Sequence, residues 1–288
     1  MSEQVCKADM GGDRAAVVDT YGYPVETTGN AVLDILEHRS STRAFARDDN
    51  DRPVAVTDEQ RAAIVHAASR APSAGAMMMY SIVSIREQAT LDRLADLCDH
   101  QPMIAKAPWA LIFVVDYAKW IDLFEHVGCF EPEFVERTGK SPRRAPGLGD
   151  FAIAAQDAVI AAQNAVVAAE ALGLGSCYIG DIIENAEEVA ELLDLPPYTI
   201  PLSMLIIGTP RKERPAIAHP VVNLVHEERY CRADDATMDA QVAEMDAMFR
   251  PHAREVGERV VDIYTRKHTS PFMAEMSRSM EWWFKNWL

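Results

Sequence analysis

The segment that most constrains the fold is an alanine-rich stretch from Phe151 to Leu172, which contains no glycine or proline. Its polar residues recur at intervals of seven on two neighbouring lines: Gln156, Gln163 and Glu170 on one, Asp157 and Asn164 on the other. Because seven residues are close to two helical turns, the stretch predicts an α-helix with one narrow polar stripe. A helix that is apolar around most of its circumference must be covered, either as a central core helix or at a subunit interface.

Small residues follow this helix. Gly173 and Gly175 end it, and the run from Ser176 to Gly180 has the length of a short strand. Small residues leave room for a flat molecule to approach the backbone, although a simple connection between a helix and a strand also needs glycine.

Length and charge limit the classes of protein to consider. The 288 residues can form one large domain or two small ones. With 44 acidic and 28 basic side chains the net charge is −16, which disfavours nucleic acid or an anionic membrane as the main partner. We expect no transmembrane helix and no secretory signal, and the five cysteines show no paired spacing, so we expect reduced thiols in the cytoplasm.

A basic, hydroxyl-rich motif follows the first predicted helix, which begins at Asn30. Arg39, Ser41 and Arg43 alternate, with Ser40 between them, so an extended chain would place all three on one side. Arginine and hydroxyl groups are the donors that bind phosphate in proteins. The alternative is a solvated basic turn at the end of a helix.

The remaining elements predict an α+β fold. Apolar runs at 81–85, 110–115 and 200–207 have strand length, and helices alternate with them. Residues 117–150 form an irregular, aromatic-rich segment, which we interpret as a lid or insertion. The C-terminal sequence EWWFKNWL is expected to dock on the body of the protein or on a partner subunit. We predict an N-terminal arm at 1–29, a main domain at 30–228 and a helical extension at 229–288.

The order of four motifs resembles the FMN-dependent nitroreductase family. These motifs are RSSTRAF, then APSAGA before a strand, then the alanine-rich helix leading into GLGSCYIGD, and finally a strand ending in IIGTP. The resemblance covers roughly residues 30–228. It implies an α/β/α sandwich with a central mixed or antiparallel sheet, and an intertwined homodimer with one FMN at each of two interface sites.

The resemblance also implies which residues contact FMN. Arg39, Ser41 and Arg43 would hold its phosphate and ribityl end, and Gly180 and Asp181 would present backbone N–H groups near the flavin N5. The full set that the resemblance implies is Arg39, Ser40, Ser41, Arg43, Pro72, Ser73, Ala74, Gly75, Ala76, Met78, Tyr178, Ile179, Gly180, Asp181, Arg211 and Arg214, with Lys212 as a further basic candidate.

One departure from the family concerns the flavin pyrimidine edge. The family often has Asn and then Gln in the loop after Pro-Ser, whereas this chain has Ala76 and Met78. Each missing hydrogen bond is worth about 0.5–1.5 kcal/mol, so FMN binding is expected to be weaker but to survive. Cys177 lies beside the implied site, either as a functional thiol or as a small buried filler.

The chemistry implied is hydride transfer from NADH or NADPH to FMN, and then to a small electron-poor acceptor such as a nitroaromatic or a quinone. The flavin carries this reaction, so no catalytic acid, base or metal is required of the chain. Two alternatives remain: a flavin-binding sensor or storage protein without turnover, and another flavin reaction such as dehalogenation, enoate reduction or flavin fragmentation. The segment 117–150 would then be a substrate-specific lid.

Overall fold

The structure is a computed structural model, and it describes residues 29–140, 143–212, 220–252 and 254–287. Its contacts form two compact units. The sheet unit comprises residues 39–212 and 274–287, and the helical unit comprises residues 29–38 and 220–273. Of the predicted N-terminal arm, all but Gly29 lies outside the described residues. The domain boundaries at 29 and 228 stay a prediction.

A four-stranded antiparallel sheet is the centre of the sheet unit. Its strands are β1 (Tyr80–Ile85), β2 (Trp109–Asp116), β3 (Gly175–Ile179) and β4 (Thr199–Gly208), in the order β1-β2-β4-β3. All of β2 and nearly all of β4 are buried, because their side chains are apolar on both faces. The described strands pair antiparallel throughout, so the α+β expectation is confirmed in its antiparallel form.

One set of helices packs around the sheet within the sheet unit, and a second set forms the helical unit. The sheet unit contains α2 (Asp58–Ser69), α3 (Gln88–Leu97), α4 (Pro102–Ala105), α5 (Ala118–His126), α6 (Pro132–Thr138), α7 (Leu148–Ala171), α8 (Ala186–Leu193) and most of α11 (Pro271–Trp287), whereas α1 (Ala31–His38), α9 (Asp235–Phe249) and α10 (Glu258–Ile263) belong to the helical unit. Residues 117–150 therefore contain two helices, α5 and α6, where the sequence indicated an irregular segment.

The alanine-rich helix is α7, and one of its faces is core. It packs on α2 and on the strands of the sheet through buried alanines at 154, 158, 161, 162, 165 and 169. Alanine lets the helix backbone approach the sheet closely. The opposite face is open in the single chain and carries exposed apolar side chains beside the polar stripe, because Ile153, Val159 and Ile160 are 45%, 47% and 39% exposed and Gln156 and Gln163 are exposed with them. By length and composition α7 is also the one helix in the described ranges that could cross a membrane, but its alanines are part of this core.

The C-terminal tryptophans dock on the body of the sheet unit. Trp283 and Trp287 are almost fully buried. The indole N–H of Trp283 donates to the Ile183 carbonyl (3.0 Å) and that of Trp287 to the Gly147 carbonyl (3.1 Å). Rings of Tyr117, Phe151 and Tyr198 meet Trp287 edge-on. Both indoles thus find hydrogen-bond partners within this unit.

The helical unit lacks a comparable core. No side chain of α1, α9 or α10, all within the described ranges, is buried. Asp262 forms ion pairs with three arginines, Arg250, Arg259 and Arg266. The cysteines of the sheet unit, Cys98, Cys129 and Cys177, are free thiols.

Candidate functional site

Backbone pairing carries the basic motif to the end of the sheet. The N–H of Thr42 donates to the carbonyl of Ser176 in β3 (2.8 Å), and the N–H of Ala46 donates to the carbonyl of Thr209 just after β4 (2.8 Å). The N–H of Arg211 in turn donates to the carbonyl of Ala44 (3.0 Å). The motif therefore lies beside the chain that leaves β4.

This pairing forms a basic cavity of about 460 Å³. It is lined by Ser41, Thr42, Arg43, Ala44, Arg211 and Lys212. Three of the six residues are cations and two are hydroxyl donors, so the cavity favours an anion such as a phosphate. We call it the basic cavity. Of the basic residues expected after β4, Arg211 and Lys212 line it, and Arg214 lies outside the described residues.

Arg39 is placed beside this cavity with an unused donor. Its Nε is buried and has no hydrogen-bond partner in the part of the chain that the structure describes. A buried donor without a partner costs about 1–3 kcal/mol, which an anionic ligand would recover. Burial raises the pKa of Tyr178 to about 12, and the nearby positive charge of Arg39 opposes that rise. Burial likewise raises the pKa of Cys177, opposed by Arg43 and Ser41.

The loop after α2 is held by one carboxylate of α7. Asp157, almost fully buried, accepts hydrogen bonds from the N–H groups of Ala74 (3.0 Å) and Met79 (3.2 Å). Ser73 Oγ accepts from the N–H of Met78 (3.0 Å), and the Trp120 indole donates to the Met77 carbonyl (2.9 Å). The sequence analysis placed Asp157 on the polar stripe but gave it no role. Its role is to fix this loop.

The same loop turns through left-handed backbone. Gly75, Ala76 and Met78 have φ of 57°, 56° and 49°. This conformation is free for glycine but costs about 1–2 kcal/mol for residues with a Cβ. Pro72, Ala74 and Ala76 are exposed on the loop. The loop therefore offers backbone groups rather than side-chain amides to a ligand.

The turn after β3 presents free backbone donors. In the described ranges, the N–H groups of Gly180 and Asp181 make no hydrogen bond. Gly180 is exposed, and a Cβ built on it would meet no atom within 4 Å. The Asp181 side chain points to Gln101, whose Nε2 donates to it at 2.6 Å. An open surface with two adjacent donors suits a flat ring that gains negative charge.

Helix α7 links these parts. Its Asp157 binds the 72–79 loop, and its Gln163 accepts from the Tyr178 hydroxyl at 3.4 Å. The two residues are six apart, which is about 9 Å along a helix and close to the length of a three-ring system. Two implied residues are not part of this surface, because Ser40 and Ile179 are buried.

Comparison with known proteins identifies the family. The model of the nitroreductase family matches residues 36–209, which is more than half of the chain. The chain belongs to the nitroreductase family. Its relatives include the FMN reductase [NAD(P)H] of Bacillus subtilis, with 32% identity over 74% of this chain and 79% of the relative. Another is the oxygen-insensitive NADPH nitroreductase of Salmonella typhimurium, with 33% identity over 74% of this chain and 81% of the relative.

Two solved oxidoreductase structures share the fold. A hypothetical oxidoreductase from Bacillus subtilis superposes with a TM-score of 0.68 at 27% identity, covering 87% of this chain and 97% of the other. The NADPH:FMN oxidoreductase of Vibrio harveyi, solved with NAD+, superposes with a TM-score of 0.67 at 25% identity and the same coverage. The predicted nitroreductase-like fold is therefore confirmed.

Proposed function

We propose that the chain transfers hydride from NADH or NADPH to bound FMN, and from there to a small electron-poor acceptor such as a nitroaromatic or a quinone. The relatives named FMN reductase and NADPH nitroreductase support this proposal. The chain is an FMN-dependent NAD(P)H oxidoreductase. The observation that carries the proposal is that the basic cavity lies at the Gly175 end of β3, whereas the free N–H groups of Gly180 and Asp181 follow its Ile179 end.

We assign the phosphate of FMN to the basic cavity. Arg43, Arg211 and Lys212 supply positive charge, and Ser41 supplies a hydroxyl. The buried Nε of Arg39 is a donor that still needs an acceptor. We assign these five residues to the phosphate and ribityl end, since charge-assisted hydrogen bonds to phosphate are about twice as strong as neutral ones.

We assign the flavin ring to the Gly180 turn and the 72–79 loop. When bound, FMN supplies the hydride chemistry. The N–H groups of Gly180 and Asp181 would stabilise negative charge on the ring without adding a titratable group. Ser73, Ala74, Gly75 and the backbone at Ala76 and Met78 would line the ring, with Tyr178 at its other side. The loop backbone and water would take the place of the Asn and Gln that the family often has.

We further propose that the protein is a cytoplasmic homodimer with its sites at the subunit interface. The exposed apolar side chains on the open face of α7 support this, because large apolar side chains that a single chain leaves uncovered can be buried in an interface. The helical unit supports it too, since Val32 and Leu33 of α1 are more than half exposed. The acidic net charge of −16 supports a small-molecule partner rather than nucleic acid or a membrane.

The first test is a visible absorbance spectrum of the protein purified with FMN, before and after anaerobic NADPH or NADH. A flavin spectrum that bleaches is expected. A flavin spectrum that resists both nucleotides would favour the sensor or another flavin reaction, and no flavin at all would contradict the cofactor.

The second test concerns the phosphate residues. The double variant Arg39→Ala, Arg43→Ala should lose FMN on dialysis and keep its fold, because both side chains face the cavity end of the sheet. Arg47→Ala is the matched control. Arg47 lies on the same segment but pairs with Asp51 and does not line the basic cavity. Full retention of FMN by the double variant would refute the phosphate assignment.

A further inference from the structure

Glu184 closes the turn that carries the two free N–H groups. Its own N–H donates to the carbonyl of Asp181 (3.0 Å), which completes the short 3₁₀ turn Asp181–Ile183. The side chain is only 4% exposed, and its Oε1 has no hydrogen-bond partner among the described residues. No role in binding FMN uses this carboxyl group.

The groups that face Glu184 are mainly acidic. Asp181 comes from its own turn, Asp99 from the chain between α3 and α4, and Glu275 from α11. The backbone of Asp99 also donates a hydrogen bond to Glu184, which lowers the pKa of the Glu184 carboxyl group. The buried thiol of Cys98 lies near the same carboxyl group. Burial, followed by the charges of Asp181, Asp99 and Glu275, raises the pKa of Glu184 to about 7.

The arginine of α11, Arg278, is already paired with two other carboxylates, Glu187 and Glu275. Arg278 binds Glu187 through both of its terminal nitrogens (2.8 Å each) and also Glu275 (2.9 Å). Glu275 accepts in addition from Ser279 Oγ (2.7 Å) and the Asn185 N–H (3.2 Å). These donors hold the pKa of Glu275 at about 2, so that it stays ionised while Glu184 takes the proton.

Added negative charge at the turn acts directly on Glu184. A 3₁₀ turn rises about 2 Å per residue, so Glu184 lies within roughly one Debye length, about 10 Å, of the Asp181 N–H. The carboxyl is buried, so salt screens this interaction little. Hydride transfer into FMN brings two electrons and one proton equivalent, which leaves one negative charge on the ring.

We propose that Glu184 is the residue that binds a proton when the bound flavin is reduced. This proposal rests on the proposed function. When NAD(P)H gives its hydride to bound FMN and becomes NAD(P)+, the Glu184 carboxylate would bind one proton from solvent and become neutral. When the acceptor removes the hydride, Glu184 returns its proton to solvent. Glu184 is a positioning residue, because it acts on the ring through charge across the Gly180–Asp181 turn.

The test is a spectroelectrochemical titration of the FMN-loaded protein between pH 7 and 9. The slope of the flavin midpoint potential against pH counts the protons bound per two electrons. The wild type should bind close to two just above pH 7, and Glu184→Gln close to one. Glu188→Gln is the matched control, since Glu188 is exposed, pairs with Arg93 and should leave the count unchanged.

The outcomes separate this proposal from the function on which it rests. Equal proton counts for the wild type and Glu184→Gln, with FMN bound, overturn the role of Glu184 alone. A wild-type count close to one at every pH overturns it without any variant. A bound flavin that titrates electrochemically but is not reduced by NAD(P)H contradicts only the proposed function. A protein that binds no FMN contradicts both.

Discussion

Gly180 has no side chain beyond a hydrogen atom, and this leaves the proposed flavin site open. The residue has φ of −79°, an ordinary value for any side chain, and a Cβ there would touch nothing in the chain. Gly180→Val should therefore fold and melt like the wild type, yet bind FMN at least tenfold more weakly, about 1.4 kcal/mol, because its methyl groups occupy the place of the ring. FMN fluorescence titration and thermal melts of the apo protein check this. Unchanged affinity would remove Gly180 from the site.

Gly208, at the end of β4, gives the opposite case. A Cβ there would lie 2.7 Å from Pro108 Cγ and 2.8 Å from Phe45 Cδ1. Gly208→Ala should lower the free energy of unfolding by about 1–3 kcal/mol, because ring atoms on both sides must move. Urea unfolding of the apo protein measures this loss. An unchanged midpoint would show that the packing under the basic motif is loose.

Glu184 also makes stability depend on pH. Its pKa is raised in the folded protein to about 7, so between pH 4.5 and 7 the folded state binds more protons than the unfolded chain. The free energy of unfolding therefore falls as pH rises through this window. Glu184→Gln should remove that fall and gain about 2 kcal/mol relative to wild type between pH 4.5 and 8. Urea unfolding of both proteins at the two pH values is the measurement, and a difference that is independent of pH would contradict it.

At the scale of elements, α7 and the 72–79 loop act together through Asp157. Asp157 accepts one hydrogen bond on each carboxylate oxygen, from the N–H groups of Ala74 and Met79. In Asp157→Asn only one oxygen remains to accept, and the amide NH₂ group faces one of these N–H donors. We expect a loss of about 1–3 kcal/mol in stability and weaker FMN binding, since the loop is no longer fixed. Asp96→Asn, the same change at a site 65% exposed on α3, is the control for urea unfolding and FMN titration. Equal effects of the two variants would contradict this role.

The sequence predicted those elements whose signals are local. The sequence pattern of a capping box, Thr57 followed by Gln60, begins α2 and forms both reciprocal hydrogen bonds, and the apolar runs at 110–115 and 200–207 form β2 and β4. The role of Asp157 could not be predicted, because its partners are 83 and 78 residues away in the chain. The hydrogen bond between Ala44 and Arg211 joins residues that are still further apart in the chain. Only the family resemblance indicated that these segments meet.

The two helices within 117–150 were missed for a related reason. Neither α5 nor α6 has a side-chain cap, and α6 has no buried residue. Contacts such as the Trp120–Phe124 and Phe124–Phe130 ring pairs stabilise them. A search for helical periodicity in the sequence does not reveal such contacts. Local sequence therefore indicated irregular structure where packing forms helices.

At the scale of the whole molecule, the open face of α7 predicts association. Burying Ile153 and Ile160 against a second copy would recover apolar surface that the single chain leaves in water. A charged side chain at either position would have to be buried without a partner in a dimer, which costs several kcal/mol. The monomer would tolerate the same change, because both positions are exposed there.

The double variant Ile153→Glu, Ile160→Glu should therefore be a folded monomer. It should also lose FMN, since the proposed sites lie at the interface and need both subunits. Light scattering after size exclusion gives the mass, and circular dichroism checks the fold. Val54→Glu, a similarly exposed apolar site in a loop at 37%, is the control and should stay dimeric. A wild type that is monomeric with FMN bound would contradict the interface site. A double variant that stays dimeric would place the interface on another face, and the uncovered helices of the helical unit would be the next surface to mutate.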